Sequence, residues 1–150
     1  MKPVLLLCVI SNFVACTSYG QETLPVAAQS DAITRVINQY SAAREKSDTL
    51  LLKKILTTQV DQLVSSGEWR YGIAAAVEGM LKSTAGNPGT RTLTVENIRL
   101  LNPTTALVDC QYRIQQSNGN LRNMWSSFIL VYFQRQWKIS AIRNMLPTSE

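Results

Sequence analysis

The sequence predicts an α+β domain behind an N-terminal leader, and three observations predict it. An uncharged apolar run follows Met1-Lys2 directly. From about residue 30 to residue 82 the apolar residues recur mainly at helical spacing. After the breaker cluster Ala85-Gly86-Asn87-Pro88-Gly89 the period changes to alternation and stays so to the end. Helices first and a bent antiparallel meander last share one core between two layers. At 150 residues and 45% hydrophobic, the chain holds one such domain and is too short for two ordinary ones.

The first element is the leader. Val4 to Ile10, continued by Phe13-Val14-Ala15 after Ser11-Asn12, forms an apolar stretch behind a single lysine, the layout of a secretory signal. It has about half of the ~20 residues that a membrane span needs. Ser18-Tyr19-Gly20 places small residues before Gln21, so residues 1–20 read as a signal peptide and the mature chain as starting at Gln21. Phe13-Val14-Ala15-Cys16 is a loose lipobox that offers the alternative, a lipoprotein anchored through Cys16. Its phenylalanine, where leucine is usual, favours soluble export, periplasmic or secreted.

Residues 21–29 read as a linker, and residues 30–147 as the domain. Ser30 or Asp31 caps a helix whose apolar face carries Ile33, Val36, Ile37, Tyr40 and Ala43, with Arg35, Gln39 and Arg44 on the solvent side. Asp48 caps a short second helix through Leu51, Leu52, Ile55 and Leu56. A first strand spans Val60 to Ser65 and stops at Ser66-Gly67, and a third helix spans Gly72 to Lys82. Four strands follow. Thr92–Leu101 alternates and then slips phase, which predicts a bulge near Glu96-Asn97. Ala106, Val108, Cys110, Tyr112 and Ile114 share one face of the next strand, between turns at Asn102-Pro103 and Ser117–Asn120. Met124–Phe133 is apolar on both faces in its second half, as a central strand is. A tight turn at Gln134-Arg135-Gln136 leads into the last strand, Trp137 to Arg143.

Composition removes several classes of chemistry. Without residues 1–20 the chain keeps 14 basic and 10 acidic residues, scattered, with Lys53-Lys54 the longest basic run, so no stripe fits a nucleic-acid backbone. The chain has no histidine, which takes away the commonest metal ligand and general base together, and a metal site is not expected. No glycine-rich nucleotide motif is present, so no cofactor is expected. Cys8, and with cleavage at Gln21 also Cys16, leave with the leader, so Cys110 is the cysteine that remains in the folded part by either route, and it reads as a small buried hydrophobe.

The order helix, helix, strand, helix and four strands resembles the SnoaL-like, nuclear-transport-factor-2-like superfamily over about residues 30–147. The stretches that carry the likeness are Asp61–Arg70, Gly79-Met80, Leu107-Val108-Asp109, Met124-Trp125 and Trp137–Pro147. Together they are similar to the branch of unknown function labelled SgcJ/EcaC-like. The resemblance implies a cone-shaped roll: a strongly curved, mainly antiparallel sheet wrapped around the N-terminal helices and leaving a pocket. It implies a carboxylate base late on the first strand in isomerase members, but that place falls near Val64-Ser65, which carries no acid. It also implies an oxyanion-binding tyrosine on the first helix, where Tyr40 stands or serves as ordinary core.

Within that frame Asp61 is the acid of the first strand and the candidate base, with Arg143 as its electrophilic partner. Arg143 is in phase with Trp137, Ile139 and Ala141, a row that reads as the inward face. Trp69 and Trp125 are candidate walls for a flat ligand, Arg113 a second cation for an anionic group, and Ser126 or Ser127 an inward hydroxyl, Ser127 being the candidate ligand group. Three functions fit. The first is an exported domain binding a small anionic or enolisable organic ligand, held by Arg143 against Trp125. The second is a cofactor-free lyase or isomerase using Asp61 and Arg143. The third is a homodimeric interaction module with a vestigial pocket, joined through Ile129, Val131 and Phe133 on the outer sheet face.

Overall fold

The computed structural model describes residues 25–147; the leader, Cys16 and the Gln21 terminus lie outside the described residues. The first helix, α1 (Val26–Glu45), starts inside the stretch expected as a linker. Pro25 stands at its N-cap with φ −52° and Ser30 and Asp31 lie within it. A proline fits there because its fixed φ suits helix entry and the first helical N–H groups have no intrahelical partner in any case. Asp48 caps α2 (Thr49–Ile55) as expected, its carboxylate accepting from the Leu51 N–H at 2.9 Å. The chain passes from α2 straight into β1 (Leu56–Leu63), four residues earlier than expected.

A turn closed by Gly67 N–H on the Val64 carbonyl brings in β2 (Trp69–Tyr71), a short strand that the sequence did not announce. Gly67 takes φ +90° there, in the region open to glycine. Helix α3 (Gly72–Gly86) ends in the breaker cluster, and the meander follows as β3 (Gly89–Asn102), β4 (Thr105–Gln116), β5 (Leu121–Phe133) and β6 (Gln136–Met145). The expected bulge is present, with the β3–β4 register shifting between Val95 and Asn97. The β5–β6 hairpin turns on Gln134 and Arg135, both at positive φ, which matches the twist of the strands on either side.

The six strands form one mixed, curved sheet that does not close, in the order β2-β1-β6-β5-β4-β3. All neighbours are antiparallel except β1 and β6, which are parallel. This is the α+β roll that the sequence predicts. One sheet face packs on the helices: Val108, Cys110, Phe128, Leu130, Ile139 and Ile142 join Ile33, Ile37, Tyr40 and Met80 in the core. The opposite face of β5 carries Ile129 and Val131, half-buried, and Phe133, exposed. No helix among the described residues is long and apolar enough to cross a membrane.

One irregularity decides which residues face the helices. Leu130 pairs with Ile139 but Ile129 pairs with Ala141, so β6 carries one extra residue at Ser140-Ala141. Side chains alternate along a strand, and an inserted residue flips the phase beyond it. Trp137 and Ile139 therefore point inward before the bulge, whereas Ile142 and Asn144 point inward after it. Arg143 turns to the outer face, opposite Ser127 of β5 and beside Leu63 of β1.

Candidate functional site

The inner face of the sheet and the side of α3 enclose a cavity of about 760 Å³. Its sheet wall is Gln62, Tyr112, Ile114, Arg122, Met124 and Asn144; its helix wall is Ala75, Glu78, Gly79, Lys82 and Ser83. The β1–β2 turn edges it with Ser65, Ser66, Glu68 and Trp69, and Arg44 enters from the end of α1. Four cations line it against two carboxylates, since Arg44, Arg70, Lys82 and Arg122 face Glu68 and Glu78.

Arg44 lies one turn beyond Tyr40 on the buried stripe of α1 and is only 5% exposed, not on the solvent side where the sequence reading put it. Its Nη1 donates to the Tyr40 hydroxyl at 3.0 Å and its Nη2 to Thr84 Oγ1 at 3.4 Å, while Nε is buried without a partner. Among the described residues no carboxylate comes within 4.0 Å of it. Burial works against the guanidinium charge, but Tyr40 and Tyr112 beside it outweigh that and raise its pKa, so it stays charged. Burial also pushes the Tyr40 phenol up, so it stays neutral and accepts from Arg44. Its ring meets Phe128 edge-on, centroids 5.3 Å apart, which fixes the floor behind Arg44.

Several of the other polar wall groups are each held by a second group. Arg70 points inward from β2, its Nε 2.8 Å from Glu68 and its Nη1 3.3 Å from Gln62 Oε1. Glu68 is drawn below the usual carboxylate range by the Arg70 hydrogen bond and then by its charge. Arg122 Nη2 donates to Ser65 Oγ at 2.9 Å, and Ser126 Oγ to Asn144 Oδ1 at 2.8 Å. Gly79 is what lets Arg70 lie across α3, because a Cβ at that position falls 2.3 Å from Arg70 Nε. Glycine inside a helix costs roughly 0.5–1 kcal/mol against alanine. We expect Gly79→Ala to return that amount in an Arg70→Ala background and clearly less with Arg70 present, compared by chemical denaturation of the four variants of the cycle.

The residues singled out from sequence fall mostly elsewhere; for Arg143 the bulge in β6 is the reason, and for Asp61, Arg113, Trp125 and Ser127 the alternation of their own strands. Arg143 and Asp61 meet each other on the outer sheet face at 2.5 Å, each side chain about one third exposed at 31% and 33%. The Arg143 guanidinium lies 4.7 Å from the Trp69 ring centre, and Trp69 stacks on Tyr71 at 5.5 Å. Neither Asp61 nor Arg143 lines the cavity. Trp125 is 41% exposed on the outer face, and Ser127 donates outward to Asp109 at 2.6 Å; the inward hydroxyl is Ser126. Arg113 is exposed and bonded to Asn123. Of the expected set, Trp69 reaches the rim and Tyr40 stands behind Arg44.

Sequence reasoning missed Arg44, Arg70, Gln62, Arg122 and Asn144. For Arg44 a signal existed, since it continues the spacing Ile33, Ile37, Tyr40. Arg70 could not be found so, because its strand was not recognised.

No protein-family profile matches the chain, and no curated protein matches it. Solved structures do. A protein of unknown function from Shewanella oneidensis, described as NTF-2 like, superposes with a TM-score of 0.68 at 15% identity, over 78% of this chain and 98% of its own. An NTF2-like superfamily protein from Salmonella enterica serovar Typhimurium gives 0.70 at 17% identity, over 83% and 95%. A domain of unknown function with a cystatin-like fold from Nostoc punctiforme gives 0.74 at 14% identity, over 83% and 81%. By its element order, its strand order and these likenesses, the chain has the NTF2-like, cystatin-like fold.

Proposed function

We propose that the chain is an exported small-molecule-binding domain that holds an organic ligand in the cavity between its sheet and α3, and that it works as a homodimer through the outer sheet face. The observation that carries the binding reading is that several polar wall groups are fixed by second groups yet keep bonding capacity. Gln62 is held by Arg70, Asn144 by Ser126 and Arg122 by Ser65, and the buried Nε of Arg44 has no partner. Preorganised polar groups beside an apolar strip, here Tyr112, Ile114 and Met124, are what a ligand site requires. The volume of about 760 Å³ lies within the usual range for such sites.

The lyase or isomerase reading through Asp61 and Arg143 has less support, because the two groups neutralise each other outside the cavity. The dimer reading rests on Ile129, Val131 and Phe133, which together with Trp125 leave the outer face apolar beyond what single scattered residues explain. Export rests on residues 1–20 alone. Native mass spectrometry of protein purified from its own host tests all three parts in one spectrum. We expect the mass of a chain starting at Gln21 or at a lipidated Cys16, two copies per particle, and a retained small molecule. An intact Met1 counts against export, a monomer at tens of micromolar against the dimer, and an empty particle with no thermal shift from any compound of a broad panel against the binding role.

A further inference from the structure

Resting on that cavity reading, we propose that the ligand is a small organic acid, seated with its anionic group toward Arg44 and its apolar body along Tyr112, Met124 and Ile114. The sense of the hydrogen bonds points to an acid. Three side-chain acceptors on or behind the deep wall are already engaged. Gln62 Oε1 accepts from Arg70, Asn144 Oδ1 from Ser126, and the Tyr40 hydroxyl from Arg44. What remains on that wall is the Tyr112 hydroxyl and donors: the Arg44 guanidinium, whose Nε is buried without a partner, and the amide N–H groups of Gln62 and Asn144, which have no partner among the described residues.

A carboxylate offers acceptors alone and matches that wall. An amide or alcohol brings N–H or O–H groups that have only the Tyr112 hydroxyl and the carboxylates of the exposed residues Glu68 and Glu78 to donate to, and an unmatched buried polar group is costly. Charge points the same way. Arg44 is buried with no carboxylate partner, whereas both cavity carboxylates, Glu68 and Glu78, belong to exposed residues. A buried cation costs several kcal/mol unless something compensates it. The register sets the pose. Met124 pairs with Tyr112 and Arg122 with Ile114, so the apolar strip leads outward from the Arg44 end toward Ser65 and Arg122.

The test is calorimetric titration of the mature chain, at fixed ionic strength, with phenylacetate against phenylacetamide and isovalerate against isovaleramide. Each pair keeps shape and removes the charge. We expect each acid to bind at least about 10-fold more tightly than its amide, and Arg44→Met to weaken the acid about 10- to 100-fold, the worth of one charge-assisted contact, while leaving the amide nearly unchanged. Should Arg44→Met fail to fold, the acid and amide comparison on the unaltered protein decides alone. Amides binding as well as acids, or a host-retained molecule without an acidic group, overturns the ligand class and leaves the cavity reading standing. If no acid and no amide binds and no molecule is retained from the host, both readings fall.

Discussion

Phe128→Ala should lower the free energy of unfolding by about 3–5 kcal/mol, the usual cost of emptying a buried aromatic site. Phe128 is 1% exposed in the middle of the inner sheet face, between Val108 and Ile142, and its ring supports Tyr40. A domain of this size has only about 5–15 kcal/mol to lose. The variant should therefore unfold at markedly lower denaturant, and it should lose ligand as well, because Tyr40 positions Arg44. Chemical denaturation gives the first effect directly. A loss below about 1 kcal/mol would mean that the core beneath the cavity repacks freely, against the closed floor described above.

The second large effect concerns Cys110. Burial, and then the negative charges of Asp109 and Glu96, push its thiol from 9.0 up to about 12. At pH 8 its thiolate fraction is lower by about a thousandfold than in the unfolded chain, three pKa units at tenfold each. Alkylation by iodoacetamide should accordingly be slower by about that factor in the native protein than in denaturant, with burial slowing it further. The sign for stability follows. The native thiol keeps its proton at pH values where the unfolded thiol releases it, so this contribution is full below about 9 and declines as pH rises toward about 12. Native labelling at the denatured rate would remove the buried-thiol assignment, and Cys110→Ala should flatten that alkaline decline.

Both effects concern residues whose burial the sequence made legible. The alternation of Ala106, Val108, Cys110, Tyr112 and Ile114 is strict, and all five are buried as it implies. Asp48, the β3 bulge and the Gln134-Arg135 turn were legible for the same reason: each is a local event governed by one to three residues. The site was not. Arg143 shares its spacing with Trp137, Ile139 and Ala141, but the extra residue at Ser140-Ala141 shows only in how β6 pairs with β5, a contact between distant segments. One inserted residue turned Arg143 from the expected interior to the outer face, where it meets Asp61, which the alternation of β1 places there. Strand β2 escaped because three residues are too few for a period, and Arg70 came with it. Arg44 was misplaced for a different reason, since charge was taken to outweigh a spacing that in fact puts it on the buried stripe.

The parallel pairing of β1 with β6 ties completion of the cavity to the end of folding. Leu63 sits beside Arg143 and Leu56 beside Ile139, partners about 80 residues apart in the chain, whereas β3 to β6 meet one another through short hairpins. Closing so long a loop carries an entropy cost that only docking of the finished strand repays, and such contacts form slowly. The meander can therefore assemble first, but Gln62 and Arg70 reach the cavity only once β1 and β2 settle against the last strand. A chain from which β6 (Gln136–Met145) has yet to emerge has a hydrophobic half-sheet and an incomplete cavity wall.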